Sequence, residues 1–547
     1  MNDTLAGLLQ VAALLVLLAA CYAPLGDYMA KVFTTERHWR VETLLYRVAR
    51  VDPSSGQRWP VYAAGVLGFS FVSIVLLYLL QRLQPVLPAS FDRGSVGPAT
   101  AFNTAISFVT NTNWQSYVPE QTLGNTVQMA GLTVQNVLSA AVGIAVAVAL
   151  IRGIVASNTD RIGNFWVDLT RAVVRIMLPF AFVAAVLLLV MGVTMSLRSG
   201  VDVGGTTFPL APTASQEAVK QLGTNGGGIF NANSAHPFEN PTALSNLFEI
   251  FLLLVVPVSL TRTFGTMVGN RRQGSVLLTV MAGLWAIMLT VAWLAETHPN
   301  GAAGIAAGAM EGKETRFGVP SSILFGVSTT GTSTGAVNSL HDSYSGGAGG
   351  VTLLNMLLGE VAPGGVGAGL YGLLVLAIIA VFLAGLMVGR TPEYLGKKLG
   401  RREVTAAAVS ILVMPAVVLV GAGLAIALPG TLDALNNDGA HGFSEVLYAY
   451  ASAANNNGSA FAGITVTSDF FQSTLGIAML LGRFVPILAI LALAGSLAQQ
   501  RRTEAGAGTL ATDKPLFGVL VAGTVVLVAA LTFFPALALG PIAEALA

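Results

Sequence analysis

Long apolar runs alternate along the chain with two kinds of polar stretch, short basic ones and longer ones almost free of charge. Runs near 5–24, 60–81, 125–151, 173–197, 243–261, 275–295, 351–388, 404–428, 470–498 and 516–539 each hold the roughly 20 residues a helix needs to cross a hydrocarbon core about 30 Å thick. The pattern predicts ten spanning helices. The runs 351–388 and 470–498 exceed that length, so tilted, broken or partly re-entrant segments are expected there.

Four of the long polar stretches share one grammar. A moderately apolar stretch too short to span (101–109, 215–222, 321–327, 443–450) runs into a patch of Thr, Ser, Asn and Gly, and a full span follows. The patches are Thr110-Asn111-Thr112-Asn113-Trp114-Gln115, Gly223-Thr224-Asn225-Gly226-Gly227-Gly228, Thr329-Thr330-Gly331-Thr332-Ser333-Thr334-Gly335 and Asn455-Asn456-Asn457-Gly458-Ser459. Such runs taken singly are surface turns. Four at quasi-regular spacing form an internal repeat: span, half-helix, polar loop, span.

The expected fold is all-α and polytopic, with four pseudo-symmetric repeats of this kind and one extra helix at each end. The divisions fall at 1–59 (extra helix and basic loop), 60–151, 152–262, 263–390 and 391–498 (four pore repeats) and 499–547 (linker and extra helix).

Non-helical backbone at membrane depth survives only when buried in protein or lining a water-filled path. Four such loops around one axis can present carbonyl oxygens that replace the water shell of a monovalent cation. Half-helices entering from outside would aim their C-terminal ends, each about half a negative charge, at the cavity. Hydroxyl and amide oxygens can add ligands. No Asp or Glu lies in any patch, whereas divalent-selective sites use carboxylates. Neutral oxygens suit K⁺, and composition alone leaves Na⁺ open.

Composition agrees with a bilayer protein. Only 10% of the 547 residues are charged and 54% are hydrophobic, against about 25% charged in soluble domains. A soluble enzyme, a disordered chain and a basic nucleic-acid binder are excluded. The single cysteine, Cys21, rules out an intrachain disulfide and a Cys-based zinc site.

Of the 28 Lys and Arg, 21 fall in alternate loops, from the cluster Lys31–Arg58 to Arg501, Arg502 and Lys514. The positive-inside rule places these loops in the cytoplasm and both termini outside. Leu18-Ala19-Ala20-Cys21 looks like a lipoprotein cleavage site, but the basic cluster follows the apolar run. A retained helix is therefore expected rather than a signal peptide.

With these loops the sequence resembles the KdpA family, the A subunit of the bacterial ATP-driven potassium importer. The resemblance runs over nearly the whole chain. It is carried by the first, second and fourth patches, by Asn231–Pro241, by Gly389–Lys398 and by Ser452–Phe461. It implies a single-chain assembly of four K⁺-channel-like half-pore repeats in the bacterial inner membrane. It also implies a P-type ATPase partner (KdpB), a further subunit (KdpC), a small single-span peptide (KdpF) and contact with membrane lipids. The implied selectivity filter comprises Thr110, Asn111, Thr112, Asn113 and Gln115; Gly223 to Gly228; Thr329 to Gly335; and Asn455, Asn456, Asn457 and Gly458. The hydroxyl-rich third loop is where the family varies most. A stand-alone K⁺ channel or secondary transporter shares the four loops, and a membrane scaffold whose outer loops bind a partner is a third reading. The chain has neither a Gly-x-x-x-x-Gly-Lys-Ser/Thr loop nor an Asp-Lys-Thr-Gly motif. It is expected to bind no nucleotide and to depend on a partner for energy.

Ionisable residues within spans default to functional hypotheses. Glu360 lies in a run of helix breakers that includes Pro363, Gly364 and Gly365, which predicts a discontinuous helix. It would either attract K⁺ below the filter or pair with an arginine. The resemblance puts an exit path toward the ATPase partner here. Arg483 would steer ions or pair with a carboxylate or lipid phosphate. Arg390 would gate the inner mouth or anchor the membrane face. His236, Glu239, and Asp342 with His341 are expected to be structural rather than a metal site. Trp114 is expected to pack behind the first loop.

Overall fold

In the computed structural model, which describes residues 3–298, 309–387, 389, 392–504 and 509–546, ten helices are long and apolar enough to cross a membrane. They match the ten apolar runs one for one. Asp3–Thr34 precedes the repeats and Pro515–Leu537 follows them. Between them, four short helices each sit between two spans: Pro98–Val109, Thr213–Leu222, Gly318–Gly331 and Gly439–Asn455. The expected grammar is therefore present in all four units. Sheet is confined to two small hairpins, Gly200–Val203 with Thr206–Pro209 and Glu393–Tyr394 with Lys397–Lys398.

Local chemistry sets many of the boundaries. Pro98 and Pro515 open helices at the first turn, where a missing N–H does no harm. Asn164, Asn270 and Ser468 cap helix starts through their side chains.

The run 351–388 is broken, as expected. It forms Gly346–Leu357 and Ala368–Met387, with Glu360 in the connection between them. The run 470–498 is not broken. It lies in one helix, Asp469–Gln499, with Pro486 inside it, as enclosed spans permit when neighbours satisfy the freed backbone.

Burial separates the spans into inner and outer sets. The helix Val127–Val155 is almost wholly enclosed, with 89% of its most apolar window buried, against 17% for Thr4–Thr34. Outer helices expose Phe71, Phe182, Leu527 and Leu531, an apolar periphery suited to lipid.

Candidate functional site: a ring of four loops

All four short helices end in the same way. One or two residues past each helix end, a residue adopts a left-handed conformation: Asn111 (φ 69°), Thr224 (φ 48°), Ser333 (φ 51°) and Asn456 (φ 59°). The next residue returns its N–H to the helix carbonyl five positions back. These bonds are Thr112 to Ser107 at 2.9 Å, Asn225 to Lys220 at 2.9 Å, Thr334 to Thr329 at 3.1 Å and Asn457 to Ser452 at 2.9 Å. This is the six-to-one closure of a Schellman cap. Its turn residue is usually glycine, and Thr224 is β-branched at positive φ, a strained choice held by its surroundings.

One residue further on, the loops meet. A Cβ placed on Gly226 would lie 2.5 Å from Gly335 Cα, one on Gly335 would lie 2.9 Å from the Gly458 carbonyl carbon, and one on Gly458 would lie 1.7 Å from Thr112 O. Glycine at these three positions is what lets the backbones approach. The first and second loops are joined by Gly228 N–H donating to Gln115 Oε1 at 2.9 Å and Asn111 Nδ2 donating to Thr224 O at 2.8 Å. The fourth and first are joined by Asn456 Nδ2 donating to Thr112 Oγ1 at 3.0 Å. The four loops thus close on one another in a ring.

Most amide side chains in the ring act as braces rather than free ligands. Asn113 Nδ2 donates to Asn136 Oδ1 at 2.9 Å, and Asn225 Nδ2 to Asn136 O at 2.8 Å. The Ser139 hydroxyl meets both Asn111 Oδ1 and Asn225 Oδ1. Among the described residues, no donor reaches the carbonyl oxygens of Thr112, Asn113, Asn225, Gly226, Gly335, Asn457 or Gly458, whereas Thr334 O accepts the Thr329 hydroxyl at 2.9 Å. Among the described residues, these backbone carbonyls and Asn113 Oδ1 are therefore oxygens left without a protein donor, and the third loop departs from the other three.

Beneath the ring, the break in the third repeat touches three of the loops. Glu360 accepts from Asn457 Nδ2 at 2.8 Å and from the Ser333 hydroxyl. Val366 N–H donates to Thr224 Oγ1 at 2.9 Å, and Gly364 N–H to Gly331 O at 2.7 Å. Gly364 has φ +85°, and a Cβ there would come 2.1 Å from Gly369 Cα; Gly365 packs on Ser333. No arginine pairs with Glu360 among the described residues, so the expected alternative of an ion pair is not what holds it. Glu360 and Arg483 instead share a cavity of about 130 Å³ that also takes in Ser333, Asn455 and Asn456. Arg483 is buried, and its Nη2 donates to Ser139 O at 3.0 Å. Among the described residues it meets no carboxylate within hydrogen-bonding distance. Arg390 lies outside the described residues.

The remaining candidates make packing and hydrogen-bond contacts, with one change of partner. Trp114 is buried in a core with Ile106, Leu353 and Tyr448. His236 stacks on Phe230 at 3.9 Å between ring centroids, and burial together with Arg316 lowers its pKa to about 4. Glu239 accepts from the N–H groups of Ile229 and Phe230 at 2.9 Å each, fixing the backbone that leaves the second loop. His341 bonds Tyr448 through Nδ1 at 3.0 Å. Asp342 pairs with His441, not with His341.

Sequence reasoning passed over Lys220, Asn136 and Ser139. Lys220 is fully buried. Its Nζ contacts Asn233 Oδ1 at 2.9 Å, Ser234 Oγ at 3.1 Å, Glu239 Oε2 at 3.0 Å and Glu217 Oε2 at 2.5 Å. Glu217 and Lys220, three apart in a short helix that precedes a loop, were the available signal.

A family model described as "Potassium-transporting ATPase A subunit" matches residues 12–546. A protein of Nocardia farcinica named "Potassium-transporting ATPase potassium-binding subunit" is 63% identical over 560 residues, covering 100% of both chains. One of the same name from Streptomyces coelicolor is 58% identical over 553 residues, again covering 100% of both. Among solved structures, the potassium transporter TrkH from Vibrio parahaemolyticus is similar with a TM-score of 0.55, covering 86% of this chain and 97% of that one at 14% identity, a likeness of fold.

Proposed function

The chain belongs to the family of potassium-transporting ATPase A subunits, and from that premise we propose that it selects K⁺ at the ring of four loops and passes it to a P-type ATPase partner. It is a non-catalytic subunit of such a complex. The observation that carries the reading is the contact of all four loops through Thr112, Gly226, Gly335 and Gly458. Loops splayed apart could share no ion. Backbone carbonyls without a protein donor, closely spaced and uncharged, can substitute for the water around a weakly hydrated monovalent cation. Each short helix ends at the ring, so four partial negative charges favour a cation and disfavour an anion.

In this reading the filter residues are those of the four patches. Carbonyl oxygens do the coordinating, while Asn111, Asn113, Asn225 and Asn456 hold the loops in register. Glu360 supplies a negative charge below the ring, and the cavity it shares with Arg483 begins the exit path, bounded by the break at Gly364 and Gly365. Arg390, from the resemblance, belongs to the inner mouth. The partners are KdpB as ATPase, KdpC and KdpF. The complex sits in the inner membrane with both termini outside, and this chain binds no nucleotide. A stand-alone channel or secondary transporter draws no support from a match to an ATPase A subunit, and a scaffold would not need the loops to close.

The test is density for Rb⁺ at the ring in the purified complex, paired with K⁺-stimulated ATPase activity of the co-purified partner. Absence of ion density between the loops at saturating Rb⁺ would sink the assignment.

A further inference from the structure

Away from the ring, three elements converge at the start of the fourth short helix. They are the turn His341–Ser343, the first turns of Gly439–Asn455, and the closing helix Ala543–Leu546. They bring together Asp342, His441, Glu445 and Glu544. His441 Nε2 lies 3.0 Å from Asp342 Oδ1, and Nδ1 lies 2.9 Å from Glu544 Oε1. One ligand atom each from Asp342, His441 and Glu445 falls within 4.8 Å of the others.

Two further observations point to a cation-binding site. Glu445 is buried to 0% exposure; its Oε2 has no side-chain or backbone hydrogen-bond partner assigned among the described residues, and its Oε1 accepts from Asn437 Nδ2 at 2.7 Å. His441 already stands between Asp342 and Glu544 with one ring nitrogen on each, but no hydrogen bond from it reaches Glu445 Oε2, and a buried carboxylate oxygen without a donor or cation is unfavourable. Gly463 forms the floor. A Cβ there would come 2.3 Å from Glu445 Oε1 and 2.7 Å from both Asp342 carboxylate oxygens, so the two acids converge over a space that only glycine leaves open.

We propose that Asp342, His441 and Glu445 bind a divalent transition metal of the zinc class, with Glu544 as the carboxylate that orients the imidazole. One ring nitrogen and two carboxylates, with a fourth position for water, suit Zn²⁺ or Co²⁺, whereas an imidazole ligand disfavours Ca²⁺ and Mg²⁺. Glu544 accepts the Nδ1 proton and so directs the Nε2 lone pair at the metal, the usual carboxylate–histidine–metal relay. A tetrahedral ion with bonds of about 2.0–2.2 Å holds its ligand atoms roughly 3.4 Å apart, close to the present Asp342–His441 spacing. Asp342, His441 and Glu544 are partly exposed, which leaves a way in. The ion would tie the outer turn of the third repeat and the end of the chain to the fourth short helix. The inference stands apart from the K⁺ assignment and survives its failure.

The test uses the full-length chain in its native complex in detergent, stripped with EDTA and then titrated with ZnCl₂, CoCl₂ or CaCl₂ alone. The expected result is one Zn²⁺ or Co²⁺ per chain by elemental analysis, d–d absorption of bound Co²⁺, and a raised thermal midpoint. E445Q and D342N, each a near-isosteric change, should weaken binding at least tenfold, and E544Q by about 10–100-fold. Folding of each variant is checked by its unchanged elution with the complex. No binding of Zn²⁺ or Co²⁺ by the wild type would overturn the proposal. So would wild-type affinity in both E445Q and D342N, or binding of Ca²⁺ in preference to Zn²⁺.

Discussion

Asn457 Nδ2 donates a 2.8 Å hydrogen bond to Glu360 Oε1, tying the fourth loop to a carboxylate in the broken helix of the third repeat. The same carboxylate takes the Ser333 hydroxyl of the third loop. One side chain therefore sets the height of two loops and places a carboxyl group under both.

That double duty separates two substitutions. E360Q can keep a hydrogen bond to each loop but removes the charge; E360A orphans Asn457 Nδ2 and Ser333 Oγ, at about 1–3 kcal/mol per buried group left unpaired. We expect E360Q to keep wild-type thermal stability with at least tenfold slower K⁺ uptake, and E360A to lose both. Uptake by E360Q at the wild-type rate would remove Glu360 from the ion path.

Gly458→Ala should be among the most damaging single-methyl changes. The new Cβ would lie 1.7 Å from Thr112 O at a residue with φ +92°, so the fourth loop must retreat from the first. Gly226→Asp forces the second loop from the third and adds a charge. Gln115→Arg deletes the acceptor for Gly228 N–H and introduces a cation. All three are expected to lower apparent K⁺ affinity tenfold or more, or to relax discrimination against Rb⁺, in whole-cell uptake. Unchanged affinity and discrimination in all three would refute the ring as the filter.

Among the described residues, Lys220 is the cation that contacts the buried acids Glu217 and Glu239 directly. Lys220→Met leaves both without it, and breaking a buried pair from one side destabilises by roughly 3–5 kcal/mol. A lower thermal midpoint of the solubilised complex is expected, with partial rescue in the double variant K220M/E239Q. A midpoint within one degree of wild type in K220M would contradict the network.

The His236 ring adds an acid sensitivity. Its pKa falls from 6.5 to about 4 in the folded protein, through burial and then Arg316. Between these values the unfolded chain takes a proton that the folded chain refuses, so stability falls as pH drops from about 6.5 toward 4. Substitution by a residue that does not titrate, His236→Gln, should flatten this part of the midpoint–pH curve. Identical slopes for the two proteins would show that other groups control it.

How much of this could be read in one dimension depended on the kind of interaction. The ten spans, the four half-helix and loop units, and the interruption around Glu360 followed from hydropathy and from helix breakers such as Pro363 and Gly364, because solvation and backbone geometry are local properties of a segment. At 470–498 the excess length left tilt, a break or re-entry open, and the segment lies in one helix with Pro486 inside it. The same reasoning offered the Asn amides as ligands, when most of them brace the loops.

The amino-acid sequence by itself determined that this is a polytopic membrane protein with four uncharged re-entrant loops, since apolar length and the absence of Asp and Glu from the patches need no partner to be meaningful. Only the tertiary structure decided who pairs with whom. Asn111 meets Thr224 across 113 residues and Asn457 meets Glu360 across 97. Lys220 finds its acids, and His441 takes Asp342 in place of its neighbour His341. Such choices rest on distances of a few ångströms between segments remote in the chain, and the short range of hydrogen bonds and close packing makes them depend on how the repeats dock.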